Sequence, residues 1–282
     1  MAIRIDGKAI SAQIRSEIKE ETAAFIAANG YAPGLAVVIV GEDPASQVYV
    51  RNKRKACEEV GFYSEAYELP ATTTQEELNA LVDKLNANNS IHGILVQLPL
   101  PKHLNETEVL LRIDPSKDVD AFHPYNVGKI MIGDYDFLPC TPAGVMALLS
   151  RSGIEISGKK CVVIGRSNIV GKPMSMLLLH ANGTVTVCHS RTKDLAAVAR
   201  EADILVVAIG RADFVGADMV KDGAVVIDVG MNRRADGKLT GDVNYAEVEP
   251  KASYITPVPG GVGPMTITML MQNTLTAAKK KA

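Results

Sequence analysis

Two stretches of the chain are almost continuously apolar, Leu35 to Val40 (LAVVIV) and Gly93 to Leu98 (GILVQL). Runs of this length without alternation predict strands covered on both faces by helices. Between them the pattern changes to helical spacing in PASQVYVRNKRKACEEV and TTQEELNALVDKLNA, with the short apolar run YELP separating the two. Such alternation of strand and helix predicts a parallel sheet, and the fold class is α/β. The pattern repeats downstream as CVVIG with its helix, then TVTVCHS, ADILVVAIG and AVVIDVG, each strand ending in glycine or a polar residue. That makes a second α/β unit of Rossmann-like type. The text between Phe137 and Gly144 places the boundary, with Thr141 predicted to N-cap a helix and Pro142 to occupy its first position. The expected domains are therefore 1–138 and 139–263. The closing segment PGGVGPMTITMLMQNTLTAAKKK reads as a glycine-rich loop and a helix over about 264–282. Its terminal lysines complement the helix dipole, and it is expected to pack back on the first domain.

Composition narrows the function classes. The 282 residues are 47% hydrophobic and 22% charged, with a formal net charge of -2, as in soluble globular proteins, and give no electrostatic case for nucleic acid. No apolar run approaches the roughly 18 residues of a membrane span. The start MAIRIDGKAISAQ lacks the apolar core of a signal peptide, so a cytoplasmic protein away from membranes is expected. Cys57, Cys140, Cys161 and Cys188 are scattered without a C-x-x-C pair and read as small buried hydrophobes. Asp118, Asp120 and His123 cluster in KDVDAFHPYN but are too few for a metal site, and none is expected.

The turn in CVVIGRSNIVGKP resembles the start of a dinucleotide-binding βα unit with Ser167 in place of the second glycine. Gly165 would make the tight turn, and Gly171 and Pro173 would shape the start of the helix after Val170. Backbone amides there can receive anionic oxygen. An NAD site places an acidic residue roughly 20 positions further on; this chain has Cys188, His189, Ser190 and Arg191 instead. With Arg166 in the turn, the pocket suits a 2′-phosphate, and NADP is favoured over NAD. The competing reading is that Arg166 and Arg191 are solvated surface charges.

In the first domain Asp43 and Pro44 can open a helix on which Tyr49 and Lys53 share a face, with Ser46 one turn earlier. Lys53 lies in the basic run RNKRK, where a solvated lysine is the ordinary outcome. Gln97 is a lone amide at the carboxyl end of a buried strand, where ligands of open α/β sheets gather. It either bonds nearby backbone or orients Lys53. Asp120 is either a turn former or a carboxylate aimed at a nitrogen-rich ligand.

Together PASQVYVRNKRKACEEVGF, GILVQLPLP, KDVDAFHPYNVGK, PCTPAGV, VVIGRSNIVGKPMS, VIDVGMN and ITPVPGGVGPMT closely resemble the bifunctional methylenetetrahydrofolate dehydrogenase/methenyltetrahydrofolate cyclohydrolase family, FolD type, over nearly the whole chain. The resemblance implies oxidation of 5,10-methylenetetrahydrofolate with NADP, then hydrolysis of the methenyl cation to 10-formyltetrahydrofolate. It implies that 1–138 is the folate-binding catalytic domain and 139–263 the NADP-binding domain. Lys53 would be the acid/base residue, Gln97 would hold it, Tyr49 would place the aromatic middle of the folate, and Asp120 would bind the pterin. Ser46, Leu98, Pro259, Gly260, Gly261 and Gly263 would line the folate site. Gly165, Arg166, Ser167, Val170, Gly171, Pro173, Ser190, Arg191 and Met231 would contact the cofactor. A homodimer is implied as well. One departure stands out: many members have glycine after the pterin-binding aspartate, and this chain has Ala121. The alternatives are a dehydrogenase without hydrolytic activity, another two-domain NADP oxidoreductase, and a nucleotide-binding module without catalysis.

Overall fold

The computed structural model describes residues 1–41 and 44–282, and of residues 44–49 it describes the backbone alone. In chain order the first elements are β1 (Ile3–Arg4), α1 (Gly7–Asn29), β2 (Gly34–Val40), α2 (Pro44–Val60), β3 (Tyr63–Leu69), α3 (Gln75–Ala87), β4 (Gly93–Val96), α4 (Glu106–Arg112), α5 (Pro124–Ile132) and α6 (Cys140–Arg151). Then come β5 (Lys160–Ile164), α7 (Gly171–His180), β6 (Thr184–Cys188), α8 (Leu195–Ala199), β7 (Ile204–Val207), β8 (Val225–Asp228), β9 (Asn232–Arg233), β10 (Leu239–Thr240), α9 (Tyr245–Val248), β11 (Tyr254–Ile255) and α10 (Val262–Lys281). The chain divides into two compact units, one of Gln13–Cys140 with Ile267–Ala282, the other of Met1–Ala12 with Thr141–Thr266.

The unit of Gln13–Cys140 is built on a parallel sheet in the order β3-β2-β4. All seven residues of β2 are buried, as its unbroken apolar run requires of a central strand. One face carries a core of Ala36, Val38, Val40, Ile94 and Val96 against Leu78, Val82 and Leu85 of α3 and Val109 of α4. Thr74 starts α3 with a capping box, its hydroxyl accepting from Glu77 N–H while the Glu77 carboxylate accepts from Thr74 N–H. Lys117 is buried yet satisfied: its ammonium donates to the carbonyls of Leu85 and Asn86 in the last turn of α3 and of Asn88 just past it, at 2.9, 2.7 and 2.7 Å. This ties the Lys117–Asp120 segment to the sheet, because Ile94 N–H in turn donates to the Lys117 carbonyl. The C-terminal helix belongs to the same unit. Its last turn is paired there through Lys279 with Glu21 and Lys280 with Asp136, and Lys281 donates to Asn89.

The other unit has a six-stranded, wholly parallel sheet in the order β1-β11-β8-β7-β5-β6. Order reverses at β5, so the carboxyl ends of β5, β6 and β7 frame the crevice where α/β proteins take ligands. A short antiparallel hairpin, β9 with β10, follows β8.

Three details differ from the sequence-based expectations. Met1–Ala12 groups with the second unit, because β1 pairs with β11. Helix α6 starts at Cys140, so Thr141 and Pro142 lie within its first turn, and the Thr141 hydroxyl is engaged with the Thr266 hydroxyl at 3.0 Å. Strand β4 ends at Val96, leaving Gln97 and Leu98 just past the sheet.

Candidate active site

Helix α2 presents Val50, Lys53, Ala56, Cys57 and Val60 inward, the spacing of one buried stripe. Arg51, Asn52, Arg54 and Lys55 are exposed, so the run RNKRK is a solvated face interrupted by a single buried lysine. Lys53 is 6% exposed, and its ammonium donates to Gln97 Oε1 at 2.8 Å. Gln97 is held from both ends. Its backbone N–H extends the ladder to the Val38 carbonyl, and its side-chain NH₂ donates to the Leu98 carbonyl at 2.8 Å. The amide oxygen is thereby aimed at the lysine.

Asp120 supplies the charge facing Lys53. Burial pushes the Lys53 ammonium below the ordinary lysine range, with Asp120 opposing that shift. Burial likewise raises the Asp120 carboxyl, opposed first by Lys53 and then by a hydrogen bond from the Cys140 thiol. Cys140 is buried, and its thiol is pushed well up by burial, so it stays a neutral donor. Asn273 of α10 fixes this corner: its Nδ2 donates to the Val119 carbonyl at 2.7 Å and the Leu138 carbonyl at 2.8 Å. Ala121, fully buried, adopts φ 56°. The methyl group therefore sits at a left-handed position, the backbone state for which glycine is the usual choice.

Asp118 and His123 serve the loop. Asp118 Oδ2 accepts from His123 N–H and from Asn126 Nδ2, both at 2.8 Å, and His123 Nδ1 caps α5 by accepting from Tyr125 N–H. Asp43 and the side chains of Ser46 and Tyr49 lie outside the described residues. Cys140 and Asn273 were not anticipated. PCTP reads as a domain boundary, and an asparagine in a long helix carries no local signal of its partners. The position of Lys53 on the apolar stripe of α2 is a signal that the sequence does contain.

In the other unit, Pro259, Gly260, Gly261 and Gly263 form the turn before and into α10. This turn lies against the first turn of α1: a Cβ on Gly7 would sit 1.8 Å from the Gly261 carbonyl oxygen. Met231 lies near Gly263, 3.1 Å from where a Cβ there would stand.

Gly165 ends β5 at φ 134°, and a Cβ on it would meet the Ala208 carbonyl oxygen at 2.3 Å. A Cβ on Gly171 would meet the Gly165 carbonyl oxygen at 2.3 Å, so both glycines are required by close backbone approach. The Ser167 hydroxyl accepts from the N–H groups of Val170 and Gly171 at 3.2 and 3.3 Å. It caps the turn, and its own proton remains available for a ligand oxygen. Val170 precedes α7, and Pro173 is buried in the helix's first turn, where no N–H is needed.

A cavity of about 310 Å³ opens at these strand ends, lined by Ile164, Gly165, Arg166, His189, Ser190, Leu195, Ala208, Ile209, Arg211 and Phe214. Its lining contains two arginines and no carboxylate, the charge balance of a site for an anionic ligand. These features fit a nucleotide bearing a 2′-phosphate. Arg191 is exposed and outside the lining, its N–H bonded to His189 Nδ1. Arg211 and Phe214 were missed because they follow β7 at a distance in sequence from the glycine turn.

The family model for the tetrahydrofolate dehydrogenase/cyclohydrolase catalytic domain matches residues 5–120, and that for the NAD(P)-binding domain of the same family matches residues 139–282. The bifunctional protein FolD of Acetivibrio thermocellus is 62% identical over 278 residues, covering 99% of this chain and 97% of that one. The crystal structure of the Campylobacter jejuni bifunctional enzyme FolD superposes with a TM-score of 0.97 at 52% identity, covering 100% of both chains. The Trypanosoma brucei methylenetetrahydrofolate dehydrogenase-cyclohydrolase, complexed with NADP cofactor and inhibitor, superposes at 0.95 and is 44% identical, covering 99% of this chain and 98% of that one. With both of its halves matched by family models and a relative this similar over the full length, the chain belongs to the tetrahydrofolate dehydrogenase/cyclohydrolase family.

Proposed function

We propose that this protein oxidises 5,10-methylenetetrahydrofolate with NADP to 5,10-methenyltetrahydrofolate and hydrolyses that cation to 10-formyltetrahydrofolate, in one-carbon metabolism. The observation that carries the reading is the buried Lys53 held by Gln97 beside Asp120. When bound, NADP supplies the hydride acceptor. Hydride departs from a carbon already activated by two nitrogens, so the protein's task in that step is to hold the reactants. Hydrolysis asks more of the side chains. Burial lowers the Lys53 pKa and so eases loss of its proton; as the amine it can take a proton from attacking water and return it during ring opening, help worth roughly 10²–10⁴ in rate. Gln97 holds the amine in place, and Asp120 is the acceptor proposed for the pterin nitrogens.

Tyr49, Ser46, Leu98, Pro259, Gly260, Gly261 and Gly263 are proposed to line the folate site, and Gly165, Arg166, Ser167, Val170, Gly171, Pro173, Ser190, Arg191 and Met231 the cofactor site. The functional division of the chain into 1–138, completed by about 264–282, and 139–263 is part of the same proposal. So are a homodimer, testable by sedimentation equilibrium, and a cytoplasmic location; among the described residues no helix is long and apolar enough to cross a membrane. The decisive experiment follows absorbance with 5,10-methylenetetrahydrofolate and NADP. NADPH formation without accumulation of the methenyl species supports both activities. Accumulation of the methenyl species removes the hydrolytic half, and no turnover removes the proposal.

A further inference from the structure

One wall of the cofactor cavity has no assigned role. Arg211 and Phe214 line it, and the Arg211 guanidinium lies over the Phe214 ring, 4.3 Å from its centroid. Among the described residues neither Arg211 nor Arg166 has an ion-pair or hydrogen-bond partner for its guanidinium. The base of the Arg211 side chain is nevertheless fixed. Asp242, fully buried, accepts from the consecutive N–H groups of Ile209, Gly210 and Arg211 at 2.7, 3.0 and 2.8 Å, and from Asn232 Nδ2 at 2.8 Å. The end of β7 is thus clamped where it meets the cavity.

Sheet order then sets the direction of approach. Strands β6 and β7 flank β5, so Ser190 and Arg211 reach the cavity from opposite sides of the Gly165–Arg166 turn. A 2′-phosphate held by Ser190 and Arg166 would leave the Arg211 side of the cavity to the adjoining purine. A planar cation resting on an aromatic ring and free of carboxylates is matched by the π face of a base. We propose that Arg211 is the stacking wall for the adenine of the cofactor, a positioning residue for NADP and NAD alike. The inference rests on the cofactor reading above.

The test measures dissociation constants of NADP, NAD and ADP by titration calorimetry on the full chain, for the wild type, Arg211→Ala and Arg211→Lys. Arg211 is exposed, so the unliganded melting temperatures should agree. Arg211→Ala should weaken all three ligands by a similar factor, about 3- to 30-fold, the range of a cation–π contact. Arg211→Lys keeps the charge without the plane and should weaken all three as well. Weakening of NADP alone would place Arg211 on the 2′-phosphate and overturn the inference, as would full affinity in Arg211→Lys. Unchanged affinity in Arg211→Ala overturns the inference and leaves the cofactor reading standing. A wild type that binds none of the three overturns both.

Discussion

Lys53 Nζ lies 2.8 Å from Gln97 Oε1, and the other end of that amide is tied to the Leu98 carbonyl at the same distance. The lysine is thereby placed by the carboxyl end of a buried strand, and not by its own helix alone. Removing either member of the pair should therefore separate the two proposed reactions.

Lys53→Met should abolish hydrolysis of the methenyl species and leave NADP affinity unchanged, while Gln97→Ala, which leaves the amine present but unguided, should slow hydrolysis by about 10²-fold, the scale of a misplaced catalytic group. Because burial lowers the Lys53 pKa, the wild-type hydrolytic rate should rise with pH through an inflection below the ordinary lysine value. Stopped-flow absorbance of the methenyl species checks both. Unimpaired formyl production by Lys53→Met would remove the assignment.

Joint replacement of Arg166 and Ser190 by alanine should weaken NADP by about 10²-fold or more and NAD by little, since charge-assisted contacts to a phosphate are among the stronger hydrogen bonds. Steady-state kinetics with each nucleotide gives the ratio. Equal losses for the two would mean that the cavity has collapsed and that selectivity lies elsewhere.

Ala121→Gly should change stability by less than about 1 kcal/mol. Relief of the left-handed backbone, about 1–2 kcal/mol, is offset by a lost buried methyl of about 0.8 kcal/mol and by the greater freedom of glycine in the unfolded chain, about 0.5–1 kcal/mol. Ala121→Val, branched at a buried position with φ 56°, should be strongly destabilising. Urea melts of the two variants decide this; a large loss in Ala121→Gly would show that the methyl contact dominates.

His92 is 3% exposed and accepts from Gly34 N–H through Nδ1 at 2.9 Å. Burial, with Lys281 and Lys117 nearby, pushes its pKa down to about 4. The unfolded chain then takes up a proton that the folded chain refuses, so this histidine's contribution to stability is complete above about pH 6.5 and is lost as pH falls toward 4. His92→Asn keeps an acceptor for Gly34 and removes the titration. The stability of the wild type relative to the variant should fall by on the order of 2–3 kcal/mol between pH 7 and pH 4. Denaturant melts at several pH values test it, and a difference independent of pH would mean that the ring titrates normally.

Much of the fold is written in local pattern. Unbroken apolar runs name β2, β5, β7 and β8 as covered strands, helical spacing names α2 and α3, and the glycines at 165 and 171 mark a turn that only a close backbone approach explains. Lys53 and Gln97 are legible in the same way, one lying on an apolar stripe and the other ending a buried strand. What these signals do not contain is distance between segments far apart in sequence. That β1 pairs with β11 and carries the first twelve residues into the second unit is settled by sheet pairing across about 250 positions. Tertiary packing brings Asn273 to Val119 and Cys140 to Asp120. It also sets Arg211 across a cavity from Ser190, because strand order, which local propensity leaves open, decides which loops share a crevice. Even the left-handed backbone at Ala121 belongs to this class. Alanine does not choose φ 56° by itself, and the buried loop around it imposes that conformation through its tertiary contacts.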